Sequence, residues 1–120
     1  YFELFRDLMR ASFSNNILML LDWVNKASKL GRESQKELIS YSLTIIRESF
    51  MLNLGLEDIV YIAGEEKDFS QNFSPFINGD NILQVYSAFN LATEHISRNG
   101  NPQIIFTDMT MKLVKLINKL

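Results

Sequence analysis

The stretch Arg98-Asn99-Gly100-Asn101-Pro102 decides how the C-terminal third of the chain folds, because it separates two segments of helical periodicity. Asparagine and glycine end helices well, so Asn99 and Gly100 are expected to close the first segment. Asn101 is suited to cap the next helix, and Pro102 to occupy its first position, where a missing N–H costs nothing. The stretch therefore predicts a tight turn between two helices.

Both segments that flank this turn repeat apolar residues at the helical spacing i, i+3, i+4, i+7. The first is predicted to run over Ile82–Arg98 and the second from Pro102 to the end of the chain. The apolar faces comprise Ile82, Val85, Tyr86, Phe89, Thr93 and Ile96 in the first, and Ile105, Phe106, Met109, Leu113, Leu116, Ile117 and Leu120 in the second.

The same periodicity predicts three more helices upstream, over Phe2–Phe13, Ile17–Leu30 and Glu33–Leu54, and a short one over Glu65–Phe73. In the second helix we expect one buried face, made of Ile17, Leu20, Leu21, Val24 and Ala27. Glycines between the segments are expected to take left-handed conformations at helix ends, with Gly31 closing the second helix.

The segment Leu56–Ala63 is ambiguous because its β-branched residues favour a strand. A lone strand cannot satisfy its backbone, and no partner strand is evident elsewhere in the sequence. We therefore expect a short helix or an extended connector here. The fold class predicted for residues 1–120 is all-α, a single irregular bundle of five to six helices forming one domain.

Composition excludes several classes of function. The chain has 120 residues, 47 % of them hydrophobic and 22 % charged, which fits one globular domain. The formal net charge is −2, which argues against nucleic-acid binding. There is no cysteine, so disulfides, thiolate zinc sites and cysteine nucleophiles are excluded, and a reducing, cytoplasmic location is expected. The longest strictly apolar run, Ile17–Leu21, is too short to span a membrane, so no membrane partner is expected.

Catalytic chemistry is not indicated by any pattern in the sequence. His95 is the only histidine, and we interpret it as a surface residue. The acidic group Glu65, Glu66 and Asp68 opens a helix, where its charge favours the helix dipole. The glycines match neither a phosphate loop nor a nucleotide-binding fingerprint. The sequence thus predicts no catalytic residue, no cofactor, no metal and no enzyme activity.

Polar residues near the turn are the best candidates for a docking surface. Arg98 presents a forked donor at the turn, and Asp108 follows one and a half turns into the next helix. Lys112, Lys115 and Lys119 line one side of the last helix. We interpret the lysines mainly as a solvated face that also complements the helix C-terminus, although contact with an acidic partner or a phosphate backbone is an alternative.

The segment from Arg98 to Met109, followed by Lys112-Leu113, resembles the C-terminal part of bacterial clamp-loader subunits of DNA polymerase III. Their usual form is R-N-A-N-P-K-[IL]-L-F-x-D-L. The form found in Bacteroidetes delta-prime subunits is similar, and gamma/tau subunits carry a related domain. Shorter agreements extend the resemblance over residues 31–113: Gly31-Arg32-Glu33 with Gln35-Lys36, Arg47-Glu48-Ser49 with Asn53, Gly64-Glu65-Glu66, and Phe73 with Pro75-Phe76-Ile77-Asn78.

The resemblance implies a helical collar domain that holds the subunit in a pentameric ring while separate AAA+ modules load the sliding clamp. It implies the other clamp-loader subunits as partners, and a stator role for a delta-prime subunit. The chain opens on Tyr1 rather than methionine and has no Walker motif, so we expect the AAA+ module to lie outside it.

Within this resemblance, the last two helices are expected to supply one face of the ring. Its polar members would be Arg98, Asn101, Asp108, Lys112 and Lys115, and its apolar anchors Tyr86 and Phe106 if either is exposed. The sequence departs from the usual form at Gly100, Gln103 and Thr107. We expect Gly100 to loosen the turn and the other two to reduce contact at a shared surface.

Two other classes of function are open. The abundance of Phe and Leu would also suit a helical ligand-binding or dimerisation domain of a regulator, which needs a buried apolar cavity. A small enzyme would need perturbed titratable groups converging in a cleft, for which one histidine and no cysteine give little basis.

Overall fold

The computed structural model describes residues 1–118, with the side chain of Ile59 excepted. Over that range the chain forms six α-helices and two short 3₁₀ turns, with no strand, so the predicted all-α class is confirmed. The predictions for Lys119 and Leu120 lie outside the described residues. The elements are α1 (Phe2–Phe13), α2 (Ile17–Ser28), α3 (Arg32–Asn53), a 3₁₀ turn (Glu57–Ile59), α4 (Gly64–Phe73), a 3₁₀ turn (Ser74–Phe76), α5 (Ile82–Ser97) and α6 (Pro102–Ile117).

Three helices end in the same hydrogen-bonded motif, in which a residue just past the helix is left-handed. These residues are Asn15 after α1 (φ 53°), Gly55 after α3 (φ 78°) and Asn99 after α5 (φ 62°). After α5, Asn99 N donates to Ile96 O at 3.1 Å and Gly100 N donates to His95 O at 2.9 Å. The left-handed position at the α5–α6 turn is thus taken by Asn99 rather than by a glycine.

Asparagine side chains cap the starts of two helices, and the cap at Asn101 is the one predicted above. The Asn16 side chain accepts from Met19 N at 3.1 Å and begins α2. Asn101 accepts from Gln103 N at 2.9 Å and begins α6, with Pro102 in its first turn. We expected Gly31 to close α2, and this prediction is wrong. Gly31 has φ −68° and stands at the N-cap of α3 instead.

The segment after α3 is a connector, because its 3₁₀ turn leads into extended backbone before α4 begins at Gly64. This agrees with the predicted short helix or extended connector. The turn before α5 is held by Asn81, which is almost fully buried. Its amide accepts from Asn78 N at 3.1 Å and donates to Phe76 O at 2.8 Å.

Helix α6 lies at the centre of the bundle, in contact with α1, α2 and α5, while α3 packs on α5 and α4. Phe106 of α6 is fully buried and meets the edge of Trp23 at a ring-centroid distance of 5.6 Å. The Trp23 indole donates to Leu4 O at 2.7 Å, which ties α2 to α1. Trp23 is therefore a core residue with a satisfied polar atom.

Helix α2 buries less of its apolar sequence than predicted. Leu20, Val24 and Ala27 face the core, but Ile17 and Leu21 are 44 % and 46 % exposed. Leu18 is 80 % exposed. The expected buried face is therefore wrong at two positions, because α2 meets its neighbours through the side that carries Leu20, Trp23 and Val24.

Candidate functional site: a groove between the last two helices

An apolar groove of about 450 Å³ runs between α5 and α6, in the half of the bundle away from the α5–α6 turn. Leu83 and Leu91 form its α5 side and Leu116 part of its α6 side, and Leu83 is 75 % exposed. The described residues that line it are Leu83, Gln84, Ser87, Ala88, Leu91, Lys112, Lys115 and Leu116. Leu91 and Leu116 are partly buried, and an apolar groove bordered by an exposed leucine is typical of protein contact surfaces.

The charge of the groove comes from α6 alone. Lys112 and Lys115 line it, whereas its α5 side carries only the neutral polar residues Gln84 and Ser87. Lys112 Nζ lies 2.8 Å from Asp108 Oδ2, an exposed pair of the kind that contributes little stability. The α6 edge of the groove is therefore cationic. The two lysines lie along this edge, and Asp108 lies just outside the groove.

The turn between α5 and α6 forms a second, rigid feature at the opposite end of these helices. Arg98 Nη2 lies 2.8 Å from Glu94 Oε1 one turn earlier in α5, and both side chains are largely exposed. From α3, Arg32 Nη1 donates to Ile96 O at 3.2 Å and to Gly100 O at 3.1 Å. Arg32 thus satisfies carbonyls at the C-terminus of α5 and fastens the turn to the start of α3.

Gly100 has no room for a side chain. A Cβ atom there would lie 2.8 Å from Ile105 Cδ1 and 2.9 Å from His95 O. The expectation that Gly100 loosens the turn is therefore wrong, since the missing Cβ is what allows the close approach of α5 and α6. The alanine usual in clamp-loader subunits would require the turn to shift.

The structure does not bring the seven predicted interface residues into one site. Lys112 and Lys115 line the groove, Asp108 lies beside it on α6, and Arg98 and Asn101 lie at the turn. Arg98, Asp108, Lys112 and Lys115 are exposed, and the Asn101 side chain is occupied in capping α6.

The two predicted apolar anchors do not meet the condition of being exposed. Phe106 is fully buried against Trp23, so it belongs to the core. Tyr86 is partly buried between α5 and α3, where its hydroxyl is 3.4 Å from Leu43 O. Burial raises the Tyr86 pKa, and Arg47 and Glu48 act on it in opposite directions, Arg47 lowering it. The condition set for both anchors is therefore not met, and the apolar side chains that line the groove include Leu83 and Leu116 instead.

Sequence reasoning missed Leu83 and Leu91 because they lie off the main apolar stripe of α5. Leu83, Ser87 and Leu91 recur at i, i+4, i+8, a second helical row that predicts an additional contact face. It also missed two buttressing side chains of α3. Arg32 holds the turn, and buried Gln35 donates to the last carbonyls of α2.

The described residues contain no group of three or more His, Cys, Asp or Glu side chains that could hold a metal ion. His95 is exposed, as predicted. Within residues 1–118, the helices are too short or too polar to cross a membrane. Comparisons with protein-family models, with curated proteins and with solved structures found no match.

Proposed function

We propose that this chain is a non-catalytic assembly domain, the collar domain of a clamp-loader subunit of bacterial DNA polymerase III. Its task would be to hold the subunit in a ring of neighbouring subunits during sliding-clamp loading. The resemblance over residues 31–113 supplies the family, and the α5–α6 groove supplies a surface suited to protein contact.

The groove is the observation that carries the proposal. It combines exposed Leu83 and the partly buried Leu91 and Leu116 with a cationic edge, and protein interfaces commonly have an apolar core with a polar rim. Its α6 wall belongs to the helix that carries the clamp-loader-like segment after Arg98. A partner helix with apolar side chains and an acidic edge would match the groove.

The finer assignment within the clamp loader is to a delta-prime subunit, with gamma/tau as the near alternative. We expect the partners to be the other clamp-loader subunits rather than DNA or a membrane, because the net charge is −2. A cytoplasmic location and the absence of catalytic activity in this domain are parts of the same proposal.

Capture of a tagged chain from lysate of the source organism, read by quantitative mass spectrometry, tests the proposal. We expect clamp-loader subunits to be recovered by the unaltered chain. Leu83→Glu should reduce their recovery, because it places a carboxylate on the apolar side of the groove. Tyr61→Glu is the matched control, since Tyr61 is similarly exposed but does not line the groove.

Arg98→Glu is the second variant, because Arg98 is a charged and largely exposed residue at the turn. If the turn joins the ring contact, charge reversal weakens recovery of the partners. The fold should survive, since the change costs one exposed i, i+4 pair of roughly 0.5 kcal/mol and a similar repulsion. Recovery of no clamp-loader subunit by the unaltered chain would contradict the proposed function.

A ligand-binding domain of a regulator is less well supported. The phenylalanines that would line its cavity pack against other aromatic rings instead. Phe5 meets Phe69 at 5.9 Å between ring centroids, and Phe106 meets Trp23 at 5.6 Å.

A further inference from the structure

A second apolar depression lies on a different pair of helices from the groove. It is a hollow of about 260 Å³ between α1 and α2, which we call the α1–α2 hollow. Its lining is Asp7, Leu18, Met19, Asp22, Trp23 and Lys26. Leu18 is 80 % exposed, so an exposed leucine borders this hollow much as Leu83 borders the groove.

The hollow and the groove are complementary in charge. The hollow is lined by two aspartates, Asp7 and Asp22, and by one lysine, Lys26. Among residues 1–118, two lysines and no carboxylate line the groove. An apolar face with an acidic border would thus meet an apolar face with a basic border, which favours one orientation of contact over others.

The charged groups are free to exchange partners at little cost. Asp22 pairs with Lys26 at 3.2 Å, and Lys112 with Asp108 at 2.8 Å, each pair lying on the exposed surface of one helix. Asp7 pairs with its neighbour Arg6 at 3.5 Å. Exposed pairs of this type contribute about 0–1 kcal/mol, so opposing charges on another molecule can replace them.

The two faces can be occupied at the same time. They share no residue, and α6 packs against both α2 and α5. We propose that the chain associates with a second copy of itself head to tail, with the α1–α2 hollow of one copy seated on the α5–α6 groove of the next. Such a contact is heterologous, so each dimer retains one free hollow and one free groove and can extend or close into a ring.

Sedimentation velocity of the 120-residue chain tests this proposal at concentrations up to about 1 mM, which reaches the weak range of dissociation constants. The unaltered chain should show a mass that rises with concentration above the 13.9 kDa of one copy. Leu18→Glu and Leu83→Glu should each stay monomeric, because each disables one half of the contact. Both side chains are exposed, so both variants should remain folded, and circular dichroism checks this.

Mixing the two variants is the decisive step. Leu83→Glu keeps an intact hollow and Leu18→Glu an intact groove, so an equimolar mixture should form a 1:1 dimer and nothing larger. Tyr61→Glu, which changes a residue of neither face, should associate like the unaltered chain.

Three results would overturn the proposal. One is an unaltered chain that stays monomeric throughout, and another is a variant that still associates on its own. The third is a mixture that stays monomeric, which would indicate an isologous contact instead. The groove is shared with the proposed function, but the partner is not, so failure here leaves the capture of clamp-loader subunits as an independent result.

Discussion

At the scale of single residues, Gly100 sets how closely α5 and α6 approach. A Cβ atom at this position would lie 2.9 Å from the His95 carbonyl oxygen, which is backbone and cannot move away cheaply. We predict that Gly100→Ala lowers the free energy of unfolding by about 1–3 kcal/mol, the usual cost of overpacking. Urea denaturation followed by circular dichroism measures it.

Gly79 provides the matched control for Gly100. A methyl group on Gly79 would meet no neighbouring atom within 4 Å, and the backbone there is not left-handed. Gly79→Ala should therefore be neutral or slightly stabilising. An equal loss of stability in both variants would show that close packing at Gly100 is not the cause.

The titration of Tyr41 makes the free energy of unfolding depend on pH in the alkaline range. Burial raises the pKa of its phenol, and the hydrogen bond to Glu66, 2.5 Å long, raises it further. Above a pH of about 10 the unfolded chain releases this proton while the folded chain retains it, so stability falls as pH rises. The stabilisation that comes from the raised Tyr41 pKa is fully present at pH values below the pKa of this tyrosine in the unfolded chain.

We expect Tyr41→Phe to have a shallower loss of stability than the unaltered chain between pH of about 9 and 11, measured by urea midpoints. The range brackets the ordinary tyrosine pKa of about 10. Lysines and the other tyrosines titrate in both proteins, so the difference isolates Tyr41. Parallel pH profiles would contradict the assignment.

At the scale of elements, α3 holds the ends of two neighbouring helices through polar side chains. Gln35 Nε2 donates to Ala27 O at 3.1 Å and to Leu30 O at 2.7 Å, and the residue is 1 % exposed. Gln35→Leu should cost about 1–3 kcal/mol, because it removes the side-chain donor from the Leu30 carbonyl just after α2, while Ala27 O still accepts from Leu30 N at 3.2 Å. Thermal denaturation checks this, with exposed Gln71→Leu as a control that should change little.

The helices could be predicted from sequence where apolar periodicity and capping residues agree. The start and end of α1 match the pattern, and Asn101-Pro102 fixes the start of α6. The end of α2 could not be predicted, because its carbonyls are satisfied by Gln35 from the next helix. A contact of that kind is set by tertiary packing, which local sequence does not encode.

Only part of the candidate site could be predicted from the sequence, because the rest again depends on tertiary packing. The lysines of α6 stand out by charge and spacing, and they line the groove. Phe106 is predicted as an apolar anchor only if it is exposed, and the packing of α2 covers it with Trp23. Which apolar residues of a helix remain exposed depends on the packing of several helices at once.

At the scale of the whole molecule, the described chain has a radius of gyration of 13.6 Å and presents separate faces around a filled interior. The α5–α6 groove and the α1–α2 hollow are two apolar faces on different helices. The α5–α6 turn is a separate, polar feature. A domain with distinct faces suits a subunit that contacts two different neighbours.

We propose that the α5–α6 groove is the surface through which this domain binds its partners. Lysine footprinting by acetylation and mass spectrometry tests it most directly, on the chain alone and in the captured complex. The groove lysines Lys112 and Lys115 should lose most of their reactivity in the complex, while exposed Lys29, just after α2, should keep its own. Unchanged reactivity of Lys112 and Lys115 in a complex that contains clamp-loader subunits would contradict the claim.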